Sequence, residues 1–211
     1  MALTGIALWA FVVGHMAGNL KLLLGSESIN HYAEWLREVG QPLLPRAVLL
    51  WTMRIGLIVA TVLHVHAAAA LTAVNWRARP VGYARREDQR ASVAARAMRW
   101  SGVALLLFVV YHLMHMTWGT AHPDFVPGDV YHNLMVGFRG GLVTAVYVAA
   151  MILLGFHLWH GLWSMFQSLG WSHPRYNQWR RAFAIFFTLL VVIGFIVIPV
   201  AIFGGLVRET P

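Results

Sequence analysis

The sequence predicts an all-α integral membrane bundle of five transmembrane helices, with a short interfacial helix between the first and the second. Three observations predict it. The 211-residue chain is 59% hydrophobic and only 11% charged, where an ordinary soluble domain is about 25% charged. Five stretches stay apolar over the roughly 20 residues that a spanning helix needs. Between them no soluble domain, internal repeat or low-complexity run is read, so residues 1–211 form a single transmembrane domain.

The first span is residues 4–24. It lacks a basic leader, and His15, Gly18 and Asn19 suit neither the apolar core nor the cleavage site of a signal peptide, so it is read as a retained helix. SESINHYAEWLREVG follows. Tyr32, Trp35, Leu36 and Val39 fall on one face at helical spacing, and Ser28 is a candidate cap, which makes an amphipathic interfacial helix. The second span, residues 47–74, starts after Pro42 and Pro45; the third is 97–118 and the fourth 140–167. The fifth, 182–207, contains no charge and no histidine.

Charge sets the orientation. The loop after the second span carries Arg77, Arg79, Arg85, Arg86, Arg90, Arg96 and Arg99 against Glu87 and Asp88, and the loop before the fifth carries Arg175, Arg180 and Arg181. Basic loops stay in the cytoplasm, so both loops and the N-terminus are expected inside and the C-terminus outside. The net charge of +8 on so apolar a chain reads as topology and lipid headgroups, not nucleic acid. The absence of cysteine excludes disulfides, cysteine-held iron–sulfur clusters and thioether-linked haem.

Each of the first four spans places histidine deep in apolar sequence: His15, His64 or His66, His112 or His115, His157 or His160. A polar side chain there is costly and marks function by default. One such histidine is as readily a helix-to-helix hydrogen bond, but four helices out of five are harder to explain that way. Depth separates the readings. At about 1.5 Å rise per residue, His64 and His157 lie at similar depth toward the cytoplasm, while His15 and His112 lie toward the outside. Two layers, each fed by two helices, are what two stacked bis-histidine haems require, since such sites form from side chains on facing helices. Within the doublets, His64 and His66 point to nearly opposite faces, while His112/His115 and His157/His160 share one; the second member could bond a propionate, a carbonyl or a headgroup. Gly14, Gly18 and Gly161 near these histidines offer either close helix packing or room for a flat macrocycle.

Four segments in this order carry a resemblance. They are MALTGIALWAFVVGHMAGNL, HVHAAAALTAVNWRARPVGY with its Asn75…Ala78-Arg79-Pro80…Tyr83 pattern, VVYHLMHMTWGTAHP, and FHLWHGLWSMFQSLGW followed by HPRY. Together they resemble the cytochrome b membrane-anchor subunit of succinate dehydrogenase and fumarate reductase, in its single-chain, five-helix, two-haem form. The resemblance departs at the start, where relatives carry a longer basic stretch.

The resemblance implies iron ligands at His15, His64, His112 and His157, with the first and third helices sharing one haem b and the second and fourth the other. It implies a flavoprotein that oxidises succinate and an iron–sulfur subunit, both on the cytoplasmic face of a bacterial plasma membrane, and electron transfer through the haems to a quinone, menaquinone being the expected one. Haem propionates need positive or hydrogen-bonding partners; Lys21, Arg54, Arg139 and His115 are candidates on the outer side and Arg99 on the inner, with snorkelling to headgroups as the plain alternative. Ser164, Gln167, Trp100 and Asn75 are candidates for a quinone pocket near the inner ends of the helices. Three other readings compete: a two-haem cytochrome b of another respiratory complex, a transporter with a histidine-lined proton path, and a plain anchor whose histidines only hold helices together. Few buried carboxylates and no inverted repeat tell against the transporter.

Overall fold

The computed structural model describes residues 1–78 and 93–207, and the side chains of 93–96 are not among those described. Most of the first basic loop, with Arg79, Arg85, Arg86, Arg90, Glu87 and Asp88 and the pattern residues Pro80 and Tyr83, lies outside the described residues. Helices among them are α1 (Ala2–Asn19), α2 (Ser26–Glu38), α3 (Val48–Arg77), α4 (Val93–Met116), α5 (Val130–Gly137), α6 (Gly141–Ser168) and α7 (Asn177–Phe203). Five are long and apolar enough to cross a membrane: α1 with the short 3-10 turn that follows it, α3, α4, α6 and α7. The expected five-helix membrane bundle and the amphipathic helix between the first two spans are therefore present.

Three expectations need correction. Helix α2 begins at Ser26 behind Gly25, whose φ of 101° lets the chain turn out of the preceding 3-10 segment, so Ser28 sits inside the first turn and caps nothing. The fifth helix starts at Asn177, not at 182, and Arg180 lies within it, only 4% exposed. Its guanidinium stacks on Trp163 at 4.4 Å and donates to Asn177 Oδ1, Ser172 Oγ and the Trp163 carbonyl, tying α7 to the end of α6. A residue counted as a loop charge is thus a buried joint. Helix α5 is the third correction: the sequence predicts one short helix, between the first and second spans, and the structure adds another between the third and fourth.

The helices associate in two pairs, α1 with α3 and α4 with α6, and α7 packs along α6 and α1. Small residues make the close contacts, as expected where lipid gives helices no hydrophobic reason to associate. A Cβ on Gly194 of α7 would fall 2.4 Å from Met16 Sδ, and one on Gly155 of α6 would fall 3.0 Å from Val192. Gly18 is likewise a packing residue: its added Cβ would overlap the Tyr32 ring of α2 at 2.6 Å. At Gly14 and Gly161 an added Cβ would meet nothing within 4 Å. Helix α3 packs chiefly on α1, and not one of its residues is buried.

At the end formed by the C-termini of α1 and α4, helices α2 and α5 lie over the bundle. Ile29, Leu22, Tyr131, Leu134, Met135 and Phe138 bury themselves there against Tyr147, Ile198 and Ile202. Asp129 latches this cap: its carboxylate accepts from the His132 backbone N–H at 3.0 Å, the cap of α5, and from Asn30 Nδ2 at 2.9 Å on α2. Asn30 Oδ1 in turn accepts from the Tyr131 N–H at 3.0 Å. Partial burial raises the Asp129 carboxyl, but these donors outweigh it and hold the group below its ordinary 3.8.

A carboxyl depressed in the folded state stabilises above the unfolded value and loses that contribution as pH falls through the folded one. Asp129→Ala should cost about 1 kcal/mol, or roughly 2–4 °C in Tm for a chain of this size. Thermal unfolding in detergent from pH 7 down to pH 3 checks this: the gap between the two proteins should close below the ordinary carboxylate range. A gap that is independent of pH would contradict the latch.

Candidate functional site

The histidines form two layers. In one, His15 of α1 faces His112 of α4 with ring centroids 5.9 Å apart; in the other, His64 of α3 faces His157 of α6 at 6.4 Å. Each helix pair thus sends one imidazole to each layer, across a gap that the helices themselves do not close. All four rings are partly exposed. Among the described residues no three histidine or acidic side chains converge as a metal cage. Paired imidazoles without further ligands suit a metal whose remaining positions are filled by something other than the protein.

Hydroxyls stand behind three of the four rings. Thr4 Oγ1 is 3.1 Å from His64 Nδ1, Ser101 Oγ is 3.3 Å from His157 Nδ1, and the Tyr147 hydroxyl is 3.2 Å from His112 Nδ1. With Nδ1 occupied, Nε2 is the nitrogen left for a ligand. Such partners orient a coordinating imidazole and fix its tautomer.

The second members of the doublets separate. His66 is exposed, on the far side of α3 from His64. His160 is half-buried one turn beyond His157. His115 is fully buried, and its Nδ1 lies 2.9 Å from the same Tyr147 hydroxyl. Its Nε2 has no partner among the described residues. The neighbouring His122, with ring centroids 5.0 Å apart, cannot supply one, because its Nε2 donates to the Asn133 carbonyl at 2.8 Å and its Nδ1 accepts from the Asp124 N–H at 3.1 Å. The structure therefore brings His112, and not His115, to His15.

The basic candidates are more scattered. Lys21 lies over the Tyr32 ring at 5.4 Å and Arg54 over Trp51 at 5.0 Å. Arg139, at the end of α5, and Arg99 are exposed. Gln167, Trp100 and Asn75 are exposed near helix ends, and Ser164 donates to the Gly161 carbonyl at 3.1 Å. Neither Tyr147 nor the two small hydroxyls was singled out from sequence. Nothing in a lone Tyr, Thr or Ser of an apolar run announces a partner 35, 60 or 56 residues away.

Residues 86–198, more than half the chain, match the family described as succinate dehydrogenase/fumarate reductase transmembrane subunit. The chain belongs to that family. No curated protein and no solved structure matches it. As a transmembrane subunit of this kind, its five apolar helices make it a multi-pass membrane anchor of a succinate dehydrogenase or fumarate reductase complex.

Because the Tyr147 hydroxyl serves two imidazoles, Tyr147→Phe leaves two Nδ1 atoms unpartnered in apolar surroundings. It should cost about 1–3 kcal/mol, while Tyr111→Phe, whose ring stacks on His115 at 5.6 Å, should change little. Parallel thermal unfolding of the two variants checks the contrast; equal losses would contradict it.

Proposed function

We propose that this anchor holds two b-type haems, one per histidine layer, and carries electrons from an iron–sulfur partner on the cytoplasmic face to a quinone in the membrane. His15 and His112 would hold one haem, His64 and His157 the other. The observation that carries the reading is the ring spacing across helices that do not pack together. Two imidazoles that share one metal ion have ring centres roughly 6 Å apart, since a metal–imidazole nitrogen bond, as for zinc, is about 2 Å. The two pairs stand at 5.9 and 6.4 Å. The occupied Nδ1 atoms, the open space beside Gly14 and Gly161, and a spanning helix with no buried residue support the same fit.

Bound haem b supplies reversible one-electron chemistry at its iron. The chain's residues do the rest. The four imidazoles hold and orient the group, and the apolar helices keep water from it. The cap of α2 and α5 closes the end beyond His15 and His112. Arg54 stands ten residues before His64, as Tyr147 stands ten before His157, so on parallel helices Arg54 would lie at the depth of the His15–His112 layer. There Arg54, Lys21 and Arg139 would neutralise propionates, and the unpartnered Nε2 of His115 would donate to one; Arg99 would serve the other layer. The basic loops would face the cytoplasm of a bacterial cell, beside the flavoprotein and iron–sulfur subunits, with the C-terminus outside.

Two layers at different depths would let electrons cross much of the bilayer, where the membrane potential is worth about 2.3 kcal/mol per charge per 100 mV. That coupling suits a low-potential quinone such as menaquinone. Replacing His64 or His157 with Ala should remove one haem, replacing His15 or His112 the other, and His66→Ala neither, as read by haem per chain in the purified complex. Loss of haem from His66→Ala alone would refute the assignment. In intact membranes, succinate-driven quinone reduction should respond to an uncoupler; indifference would remove the transmembrane step while leaving the haems.

A further inference from the structure

Two segments of the chain repeat each other. TGIALWAFVVGH, residues 4–15, and SGVALLLFVVYH, residues 101–112, are identical at seven of twelve positions, and Thr/Ser and Ile/Val are conservative pairs. The absence of an internal repeat expected from the sequence is thereby corrected. In each copy a hydroxyl precedes the histidine by eleven residues. At 3.6 residues per turn that is three turns, so hydroxyl and histidine share one helix face, about 16 Å apart.

The contacts repeat as well. Thr4 Oγ1 donates to the Met1 carbonyl, three residues back, at 3.0 Å; Ser101 Oγ donates to the Met98 carbonyl, also three back, at 3.1 Å. A hydroxyl has one hydrogen. With that hydrogen engaged, Thr4 and Ser101 can only accept from the imidazoles they face, His64 Nδ1 and His157 Nδ1. Both histidines then carry the proton on Nδ1 and present a bare Nε2. The next residue in each copy is glycine, and a Cβ on Gly5 or Gly102 would lie 3.5 Å from Cε1 of His64 or His157. The same hydroxyl–glycine step cradles the same edge of both rings.

We propose that Thr4 and Ser101 are a matched pair of positioning residues for the His64–His157 layer, locking both imidazoles in the tautomer that coordinates metal through Nε2. Helices α1 and α4 therefore serve both layers: each gives its histidine to one and its hydroxyl to the other. The His15–His112 layer is built differently, with Tyr147 behind His112 alone. An acceptor on Nδ1–H makes the ligand more basic and favours the oxidised metal. Removing it should raise the midpoint potential of that layer's haem only. This inference rests on the two-haem reading above.

The test is a potentiometric titration of the purified, haem-loaded complex, followed by visible absorbance and by the low-spin haem signals in electron paramagnetic resonance. Thr4→Val and Ser101→Ala should each raise the midpoint of one and the same haem, the one lost on replacing His64, and shift its resonance signal. The other haem should not move. Thr4→Ser, which keeps the hydroxyl, should restore wild-type values, and Tyr147→Phe should move the other haem instead. Two intact haems whose midpoints ignore both hydroxyl variants would overturn the inference and leave the two-haem reading standing. A wild-type complex that binds no haem would overturn that reading itself.

Discussion

An imidazole in hydrocarbon needs partners for both ring nitrogens, and that requirement organises this molecule. An unsatisfied buried polar group costs about 1–3 kcal/mol. Four spanning helices each carry at least one deep histidine, so the cost recurs in every one of them. The fold answers the Nδ1 half of the problem with hydroxyls: Thr4, Ser101 and Tyr147 lie 3.1–3.3 Å from His64, His157 and His112. For the Nε2 half it brings the rings together in pairs, with centroids 5.9 and 6.4 Å apart, and the proposed iron atoms would complete it.

Helix packing follows from the same arrangement. If the four histidine-bearing helices closed on one another as tightly as α7 closes on α1 through Gly194 and Met16, the facing rings would have no room between them. Instead α7, which has no histidine, is clasped by α1 and α6, and contact among the others is concentrated within the pairs α1/α3 and α4/α6. The buried guanidinium of Arg180 and the Asp129 latch secure opposite ends of the bundle, leaving the middle to the imidazoles.

The parts of this fold that sequence reveals are those set by long averages. Spanning segments show because lipid demands some twenty apolar residues in a row. Depth counting also works, because helical rise is constant: it groups His15 with His112 and His64 with His157, the rings that stand 5.9 and 6.4 Å apart. Single contacts are harder to see. Helix α5 is eight residues long, too short for periodicity to speak, although Asp129 three residues before His132 is an ordinary cap signal. Arg180 looks like a loop charge until Trp163 is seen beneath it. The repeat of residues 4–15 in 101–112 was legible all along; its meaning was not, because the partners of Thr4 and Ser101 lie sixty and fifty-six residues away.

The central claim is that paired imidazoles in two layers hold two haems. It is tested most directly by a reduced-minus-oxidised spectrum of the purified complex, with b-type haem counted per copy of this chain. Two per chain are expected. An assembled complex, produced with haem in ample supply, that shows no b-type absorbance would contradict the claim.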